Sequence, residues 1–497
     1  MSRPKSENSL AKQRPAPHNP ARFSIFRCVM MLANRHLFLT AALAVSTVIH
    51  SVRAVTAAEN AGPVVASAQS GAPDAVAAAA EPMVPENWAV HGQATTVWQF
   101  NPSFHAPYQG PQSLHAGANT RETFDTTLYL GVRPWPGAEI WVNPEIDQGF
   151  GLSNTLGVAG FPNGEAYKIG QRDPYLRVQR LFFRQTINLG GEVQKVDPAI
   201  NQLGGSQTAG RIVVTMGKFS AGDIFDTNQY AHDPRNDFMN WSLIDMGAWD
   251  YAADAWGYTY GGAVEWYQDR WAIRAGLFDL STVANSTDLD PVFVSQTQFN
   301  FELEERHEIW DRPGKVKMLF SLGRGNFGTY SSALALARRT GRIPDVAAAV
   351  NYRSKYGFGL NLEQQIGPDI GMFARASWTQ DDVQAYDFTD IGASVSLGLS
   401  LKGTGWSRPH DTIGAAVAVN RIAGGAQAYL NAGGLGILIG DGRLPKAAVE
   451  QIFETYYSLA AFEFASVSFD YQFINNPAYN PQRGPVSVLG MRLHAEF

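Results

Sequence analysis

Cysteine is nearly absent from this sequence, which contains one such residue, Cys28, in 497. The residue lies just before the most apolar run of the chain, "LFLTAALAVSTVI" at 37–49, with arginines ahead of that run and small residues at 54–58 behind it. This order is typical of a secretory signal peptide, predicted here at 1–57, and its unusual length favours a translation start at Met30 or Met31. Cleavage would remove Cys28, so the mature chain is expected to rely on neither disulfides nor a cysteine metal site.

Long hydrophobic runs and basic charge are also scarce. The run at 37–49 is shorter than the ~20 residues that a membrane-spanning helix needs. The formal net charge is −6, and loss of the arginine-rich leader makes the mature chain more acidic, which argues against a nucleic-acid partner. Residues 58–86 are rich in Ala, Pro and Val with few charges, and we predict a flexible linker there.

Strict alternation of apolar and other residues dominates the chain from Trp88 onward. In "FTDIGASVSLGLSLKG", one face carries Ile391, Ala393, Val395, Leu397, Leu399 and Leu401, and the other carries small or polar residues. In "GYTYGGAVEWYQ", the apolar face carries Tyr258, Tyr260, Val264 and Trp266. Alternation of this kind predicts β-strands with one apolar face, but soluble sandwiches show it too.

The lengths of the connections distinguish a membrane barrel from a soluble sandwich. About sixteen alternating runs of ~10 residues suit an outer-membrane barrel. They lie near 88–100, 120–132, 138–147, 180–189, 211–219, 256–267, 270–279, 296–306, 315–323, 355–366, 369–378, 388–402, 411–420, 454–462, 466–474 and 486–497. Short connections such as "RPWPG" and "FEFA" alternate with long ones near 148–179, 220–254, 324–354 and 421–453. We therefore predict an all-β fold over 87–497, a transmembrane antiparallel up-and-down β-barrel with about 16 strands, long extracellular loops and short periplasmic turns. The gap at 190–210 is an exception, since it is long although its place in the order makes it periplasmic.

In a barrel that spans a lipid bilayer, the two faces of each strand meet different surroundings. The apolar faces meet acyl chains, and the small, polar and charged faces line an aqueous lumen, because sixteen strands are too many for side chains to fill. Tryptophans near strand ends are predicted to form an interfacial girdle: Trp98, Trp135, Trp141, Trp266, Trp271 and Trp378.

Charged residues on the predicted inner faces are the candidate functional groups. Most are expected to solvate the wall and pair across strands. A subset, together with an aromatic ring from the central loop, is predicted to bind sugar hydroxyls and the apolar sugar face. The predicted substrate-binding set is Arg180, Arg184, Glu265, Arg274, Glu302, Glu363, Arg375, Asp470, Arg492 and Trp241.

Two motifs invite other readings. "GRGNFG" at 323–328 matches a dinucleotide fingerprint, but the preceding run alternates as a half-exposed strand does, so a glycine-rich rim loop is the simpler interpretation. The aspartates of the central loop, at 223–254, could hold Ca²⁺, but loop capping and loop-to-wall hydrogen bonds are the better expectation. We therefore predict no catalytic residues, no cofactor and no metal.

Several segments together carry a family resemblance. "FFRQTINLGG", "GKFSAGDIFDTNQYAHDPRNDFMNW", "LNLEQQIG", "YLNAGGLGILIGDGRL" and "DYQFINNPAYNPQRGPVSVLGMRLHAEF" resemble the carbohydrate-selective porins of Gram-negative outer membranes. The resemblance implies a sixteen-stranded barrel constricted by inserted loops, diffusion of glucose-like sugars and an arginine-rich constriction. It also implies that the closing strand, which ends at Phe497, is presented to the outer-membrane assembly machinery. The oligomeric state stays open.

The resulting expectation is an outer-membrane porin, not an enzyme, that lets glucose-like monosaccharides or small oligosaccharides diffuse into the periplasm. The first alternative is a general porin with weak cation preference, which the acidic chain would favour. The second is a barrel enzyme acting on lipid or sugar. Conductance with and without sugars discriminates among the three.

Overall fold

A computed structural model describes residues 84–166 and 170–497. The predicted signal peptide at 1–57 and most of the predicted linker at 58–86 lie outside the described residues. The first strand begins at Trp88, close to the predicted start of the barrel at 87.

Sixteen antiparallel strands close into one barrel, in which each strand pairs with its sequence neighbours and the first pairs with the last. The strands are β1 (Trp88–Asn101), β2 (Asn119–Val132), β3 (Ala138–Gly149), β4 (Gln171–Val196), β5 (Gly205–Phe219), β6 (Thr259–Gln268), β7 (Trp271–Asp279), β8 (Thr297–Ile309), β9 (Arg312–Gly328), β10 (Val350–Gln365), β11 (Ile370–Thr379), β12 (Ala393–Gly403), β13 (Arg408–Arg421), β14 (Glu450–Phe462), β15 (Ala465–Asn475) and β16 (Val486–Glu496). Within the described residues, three α-helices lie in connections, namely α1 (Trp241–Ile244), α2 (Tyr330–Thr340) and α3 (Ala426–Asn431). None of the described helices is long and apolar enough to cross a membrane. The predicted sixteen-stranded barrel is confirmed, and every predicted run contains a strand.

The alternation seen in the sequence separates the outside of the barrel from its lumen. On β12, Val395 and Leu397 are 60% and 48% exposed on the outer surface, whereas Ser394 and Ser396 between them are 4% and 2% exposed. The same exposure of apolar residues recurs on neighbouring strands, since Val417 and other large side chains stay uncovered there. This uncovered apolar surface matches the one that a barrel turns toward lipid.

Four predicted placements are wrong. Ile391 precedes β12 and is 1% exposed within the buried cluster that contains Trp241, so it does not share the outer face with Val395. Tyr258 precedes β6 and lies buried inside the barrel, so it does not share the outer face with Trp266. Trp141 is fully buried and packs beside the His91 ring in the lumen, so it does not belong to an outer girdle. The "GRGNFG" segment forms the end of β9, where its backbone pairs with β8 and β10, and is therefore not a rim loop.

Connection lengths distinguish the two ends of the barrel. Residues 220–258 join β5 to β6 and residues 422–449 join β13 to β14 at the long-loop end, whereas residues 269–270 join β6 to β7 at the short-turn end. The exceptional gap at 190–210 is mostly strand, because β4 and β5 run on as a hairpin and leave 197–204 as the connection.

The seam between β1 and β16 closes at the last residue. Gly92 and Phe497 exchange two backbone hydrogen bonds of 2.9 Å, and the Phe497 ring covers Gly92 on the outer surface. A methyl group at position 92 would lie 2.6 Å from that ring, so the glycine makes room for it. Arg492 and His494, on the other face of β16, are buried in the lumen as the alternation predicts.

Candidate functional site

The connection at 220–258, which we call the inner loop, folds into the lumen and carries its own apolar core. Phe225, Trp241 and Trp249 are 0%, 4% and 3% exposed. Phe225 packs edge-on against both Trp249 and Phe278 of the wall. The inner loop therefore behaves as a folded insert that narrows the barrel.

Aspartates of the inner loop hold its shape and bind other loops. The Asp250 carboxylate accepts hydrogen bonds from the backbone N–H groups of Tyr386 and Phe388 at 2.7 and 2.8 Å. Lys355 on β10 donates to the same carboxylate at 2.7 Å. Asp237 accepts from the backbone N–H groups of two nearby loop residues. These contacts are the capping and loop-to-wall hydrogen bonds predicted from the sequence.

Side chains of the barrel wall also bind the backbone of the inner loop. Glu302 accepts from the N–H of Asp226 at 2.8 Å, and Glu363 accepts from the N–H of Gln229 at 3.0 Å. Arg375 pairs with the Asp226 carboxylate at 3.0 Å and donates to three backbone carbonyls of the inner loop. These predicted site residues therefore position the loop.

Four more predicted site residues lie on the barrel wall, where they bind one another, neighbouring wall residues or the inner loop. Arg274 pairs with Glu265 at 3.0 Å and with Glu302 at 2.8 Å. Arg492 donates to the backbone carbonyl of Asp237 at 2.9 Å, and Asp470 accepts from a neighbouring glutamine on its own strand.

A cavity of about 400 Å³ remains beside the inner loop, inside the described part of the barrel. Three of the predicted site residues line it: Arg180, Arg184 and Trp241. The other seven do not, and are Glu265, Arg274, Glu302, Glu363, Arg375, Asp470 and Arg492. The sequence therefore identified the inward direction of these side chains, but not which of them the inserted loop would cover.

Aromatic rings form one side of the central cavity. Trp241 stacks on Phe161 and on Phe388, with ring centroids 5.2 Å apart in each pair, and little of its surface stays open. Trp256 is half-buried, and the Arg177 guanidinium lies 4.2 Å from its ring centroid. Trp256 is the more accessible tryptophan of the cavity, although no sequence pattern distinguishes it from Trp241.

Arginines on β4 form another side of the cavity. Arg180 makes a two-point ion pair with Asp223 of the inner loop, at 2.6 and 2.8 Å. Burial works to raise the pKa of Asp223, but the Arg180 guanidinium outweighs it and lowers that pKa below its ordinary value. Arg184 donates to the backbone carbonyl of Asn201 at 2.7 Å. The paired guanidinium and carboxylate of Arg180 and Asp223 thus stand fixed at the cavity wall.

A histidine and an aspartate lie together nearby. His232 and Asp245 line the cavity, with the imidazole Nδ1 3.9 Å from a carboxylate oxygen. Burial, and then the Asp226 carboxylate, raises the pKa of Asp245 well above its ordinary value. Burial, and then the Arg375 guanidinium, lowers the pKa of His232. Both shifts disfavour the charged form of the group.

Arg235 is a cavity residue that the sequence did not single out. It pairs with Asp125 of β2 at 2.8 Å, with Glu145 of β3 at 3.2 Å and with Glu165 at 3.1 Å. The three acids follow one another at intervals of 20 residues, which is too long to place them on one strand, so only the folded inner loop brings them together around Arg235.

Comparisons with known proteins agree with this architecture. The model of the carbohydrate-selective porin family OprB matches residues 112–497, which is most of the chain. No curated protein sequence matches at a significant level. The high-pH structure of Pseudomonas putida OprB aligns with a TM-score of 0.62 at 16% identity, covering 83% of this chain and 94% of that one. The low-pH structure of the same porin aligns with a TM-score of 0.44 at 13% identity over 83% and 93%. The outer membrane channel DcaP of Acinetobacter baumannii aligns at 0.46 and 10% identity over 82% and 97%.

The family match and the closed sixteen-stranded barrel identify a channel of the outer membrane, with its long loops extracellular and its short turns periplasmic. The chain belongs to the OprB family of carbohydrate-selective porins.

Proposed function

We propose that this porin lets glucose-like monosaccharides or small oligosaccharides diffuse passively into the periplasm, with the central cavity as their binding site and with no covalent step. The observation that carries the proposal is the combination of fixed polar groups and an accessible aromatic ring in one cavity. Its volume of about 400 Å³ falls at the small end of the range typical of small-molecule sites.

The polar groups suit vicinal hydroxyls. Arg180 and Asp223 hold each other in a two-point pair, so the remaining donors and acceptors of both groups keep fixed directions. A guanidinium donates from a planar fork and a carboxylate accepts on two oxygens, which matches neighbouring sugar hydroxyls. His232 and Asp245, whose charged forms are disfavoured by burial, add further hydrogen-bonding groups. Several weak contacts of this kind favour passage over retention.

The aromatic ring suits the apolar face of a sugar. Trp256 is partly exposed and lines the cavity, and its indole N–H donates to the Tyr175 hydroxyl at 3.3 Å. This hydrogen bond and the Arg177 guanidinium above the ring fix the orientation of the indole. A fixed flat ring offers stacking area at little entropic cost.

A general, weakly cation-preferring porin is the second candidate, because acidic residues outnumber arginines in the cavity. The lining acids are Glu165, Asp223, Asp233, Asp245 and Glu496, and the lining arginines are Arg180, Arg184 and Arg235. The excess of acids over arginines is small, so the expected preference for cations is weak.

The test is planar-bilayer conductance in a salt gradient, with and without glucose. Sugar-dependent reduction of the current supports the sugar porin. A cation-selective reversal potential with no sugar effect supports the second candidate and refutes the first.

Replacement of the accessible ring sharpens this test. In Trp256→Ala we expect the concentration of glucose for half-block to rise roughly fivefold, since a stacked aromatic contact contributes about 1 kcal/mol. The matched control is Trp266→Ala, which removes the same side chain from the outer surface, where it is 46% exposed. Equal glucose block in both variants would remove Trp256 from the binding site.

A further inference from the structure

The β4–β5 connection differs from the other periplasmic turns because its two strands continue past the barrel wall. β3 pairs with β4 only as far as Gln185, and β6 pairs with β5 only from Arg211 onward. Between these points, residues 190–196 and 205–210 pair with each other alone. We call residues 188–210 the mouth hairpin.

A bend lies where the mouth hairpin leaves the wall. The strand register shifts on both sides of Gly190, and Gly190 and Gly191 have φ angles of +114° and +94°. Such angles are available to glycine at little cost, so two adjacent glycines let the ribbon turn sharply. The ribbon thus leaves the direction of the barrel strands.

The far end of the mouth hairpin is bound back to the periplasmic rim. Arg133, in the turn between β2 and β3, donates to the Gly204 carbonyl at 3.1 Å. The Glu86 carboxylate accepts from the Gly204 N–H at 2.7 Å, and the Glu86 N–H donates to the Gly204 carbonyl at 3.0 Å. Leu203 is 1% exposed and belongs to the buried apolar cluster that contains Trp141.

The tip of the mouth hairpin lines the same cavity as the proposed sugar-binding groups. Ala199, Ile200, Asn201 and Gln202 all lie on the cavity wall. The tip is rigid, since Ala199 and Gln202 exchange two backbone hydrogen bonds of 3.0 Å. Arg184 on β4 clamps it by donating to the Asn201 carbonyl at 2.7 Å.

We propose that the mouth hairpin forms a second constriction of the transport pathway, at its periplasmic mouth, in which Asn201 and Gln202 are the polar groups that a solute meets as it leaves the cavity. The inner loop narrows the barrel from the extracellular side, and the mouth hairpin narrows it from the periplasmic side. The solute class rests on the proposed sugar transport, whereas the constriction itself concerns any ion or solute that passes.

Chemical modification of single cysteines tests this proposal. The only native cysteine is Cys28, so Gln202→Cys in a Cys28→Ser background presents one thiol. We expect a cationic methanethiosulfonate reagent, added to the periplasmic side of a planar bilayer, to cause a stepwise loss of ion conductance. The matched control is Lys195→Cys, on the same hairpin but 53% exposed in its side chain and outside the cavity, whose modification leaves the conductance unchanged. Mass spectrometry confirms that each thiol has reacted.

Shortening the hairpin tests the constriction in the opposite direction. Gly190 and Gly210 face each other in register, so an Asn-Gly turn can replace residues 191–209. We expect a higher ion conductance in this variant, with the barrel still showing heat-modifiable migration on gels. Should the shortened chain fail to fold, the single-cysteine variants still decide the matter.

Fully modified Gln202→Cys with unchanged current would overturn the proposal, as would a folded shortened variant that conducts like the wild type. Both measurements use ions alone. Loss of sugar block in the wild type would therefore refute the proposed sugar transport without touching the second constriction.

Discussion

Arg375 offers a sharp test of how the lumen is built, because its side chain is 1% exposed and binds several parts of the inner loop at once. It pairs with the Asp226 carboxylate at 3.0 Å and donates to the carbonyls of Leu243 and Ala231 at 2.7 and 2.8 Å. Arg375→Met keeps much of the side-chain volume and removes all of these contacts.

The expected loss follows from the burial of the pair. Removing one partner of a buried ion pair costs about 3–5 kcal/mol, because the other charge is left unpaired. A loss of about 3 kcal/mol raises the population of undocked inner loop by roughly 100-fold. The barrel itself should stay closed, since every strand keeps its backbone pairing. Adding Asp226→Asn removes the stranded charge and should restore part of the loss.

The assay is single-channel recording in planar bilayers. Arg375→Met should show larger fluctuations of the open-channel current and a higher mean conductance than the wild type, and the double variant should lie between them. Arg306→Met is the matched control, because Arg306 pairs with Glu304 and lies over the Tyr267 ring, both on the wall. Wild-type conductance and noise in Arg375→Met would refute the assignment of this residue to loop positioning.

Three further predictions concern other parts of the molecule. Lys355→Met leaves the buried Asp250 carboxylate, which binds the loop at 380–392, without its cationic partner. We expect added protease to cleave that loop faster than in the wild type, and an unchanged rate of cleavage would contradict this. Phe497→Ala uncovers Gly92 at the seam, and we expect slower assembly of the barrel in vesicles containing the assembly machinery, whereas an unchanged rate would argue against a role for the ring. Burial, and then Asp233, raises the pKa of Asp237 to about 6, above its ordinary value of 3.8. The folded protein then holds this proton more tightly than the unfolded chain does, so the contribution of Asp237 to stability is greatest below the ordinary pKa and declines as pH rises from about 4 to about 7. Asp237→Asn should flatten this part of the profile of thermal midpoint against pH, and an identical slope would contradict it.

Much of the fold could be predicted because lipid and water face opposite sides of every strand. On β12, the alternation of Val395 and Leu397 with Ser394 and Ser396 repeats in space as it does in sequence. The short turns and long loops likewise follow from the order of the strands. Prediction was wrong where a residue lies beyond the regular strand, as Tyr258 does, or where a large apolar side chain points inward, as Trp141 does.

The site was less predictable for a different physical reason. Sequence alternation showed that Arg180, Arg375 and Arg492 face the lumen. A side chain that faces the lumen can either line the open cavity or be covered by an inserted loop. That outcome depends on how residues 220–258 fold against distant strands, as the pairing of Arg375 with Asp226 shows. The contacts of Gly204 with Glu86 and Arg133 likewise join segments that are far apart in the sequence.

By itself, then, the sequence determined the sixteen-stranded barrel, its apolar outer surface and its charged lumen, because period-two alternation is a local property that one strand can display alone. Only the tertiary structure decided that Arg180, Arg184 and Trp241 reach the cavity, whereas Glu302, Glu363, Arg375 and Arg492 hold the inner loop in place. That choice is made by long-range packing of loops inside the barrel, where each buried charge must find a partner from another part of the chain.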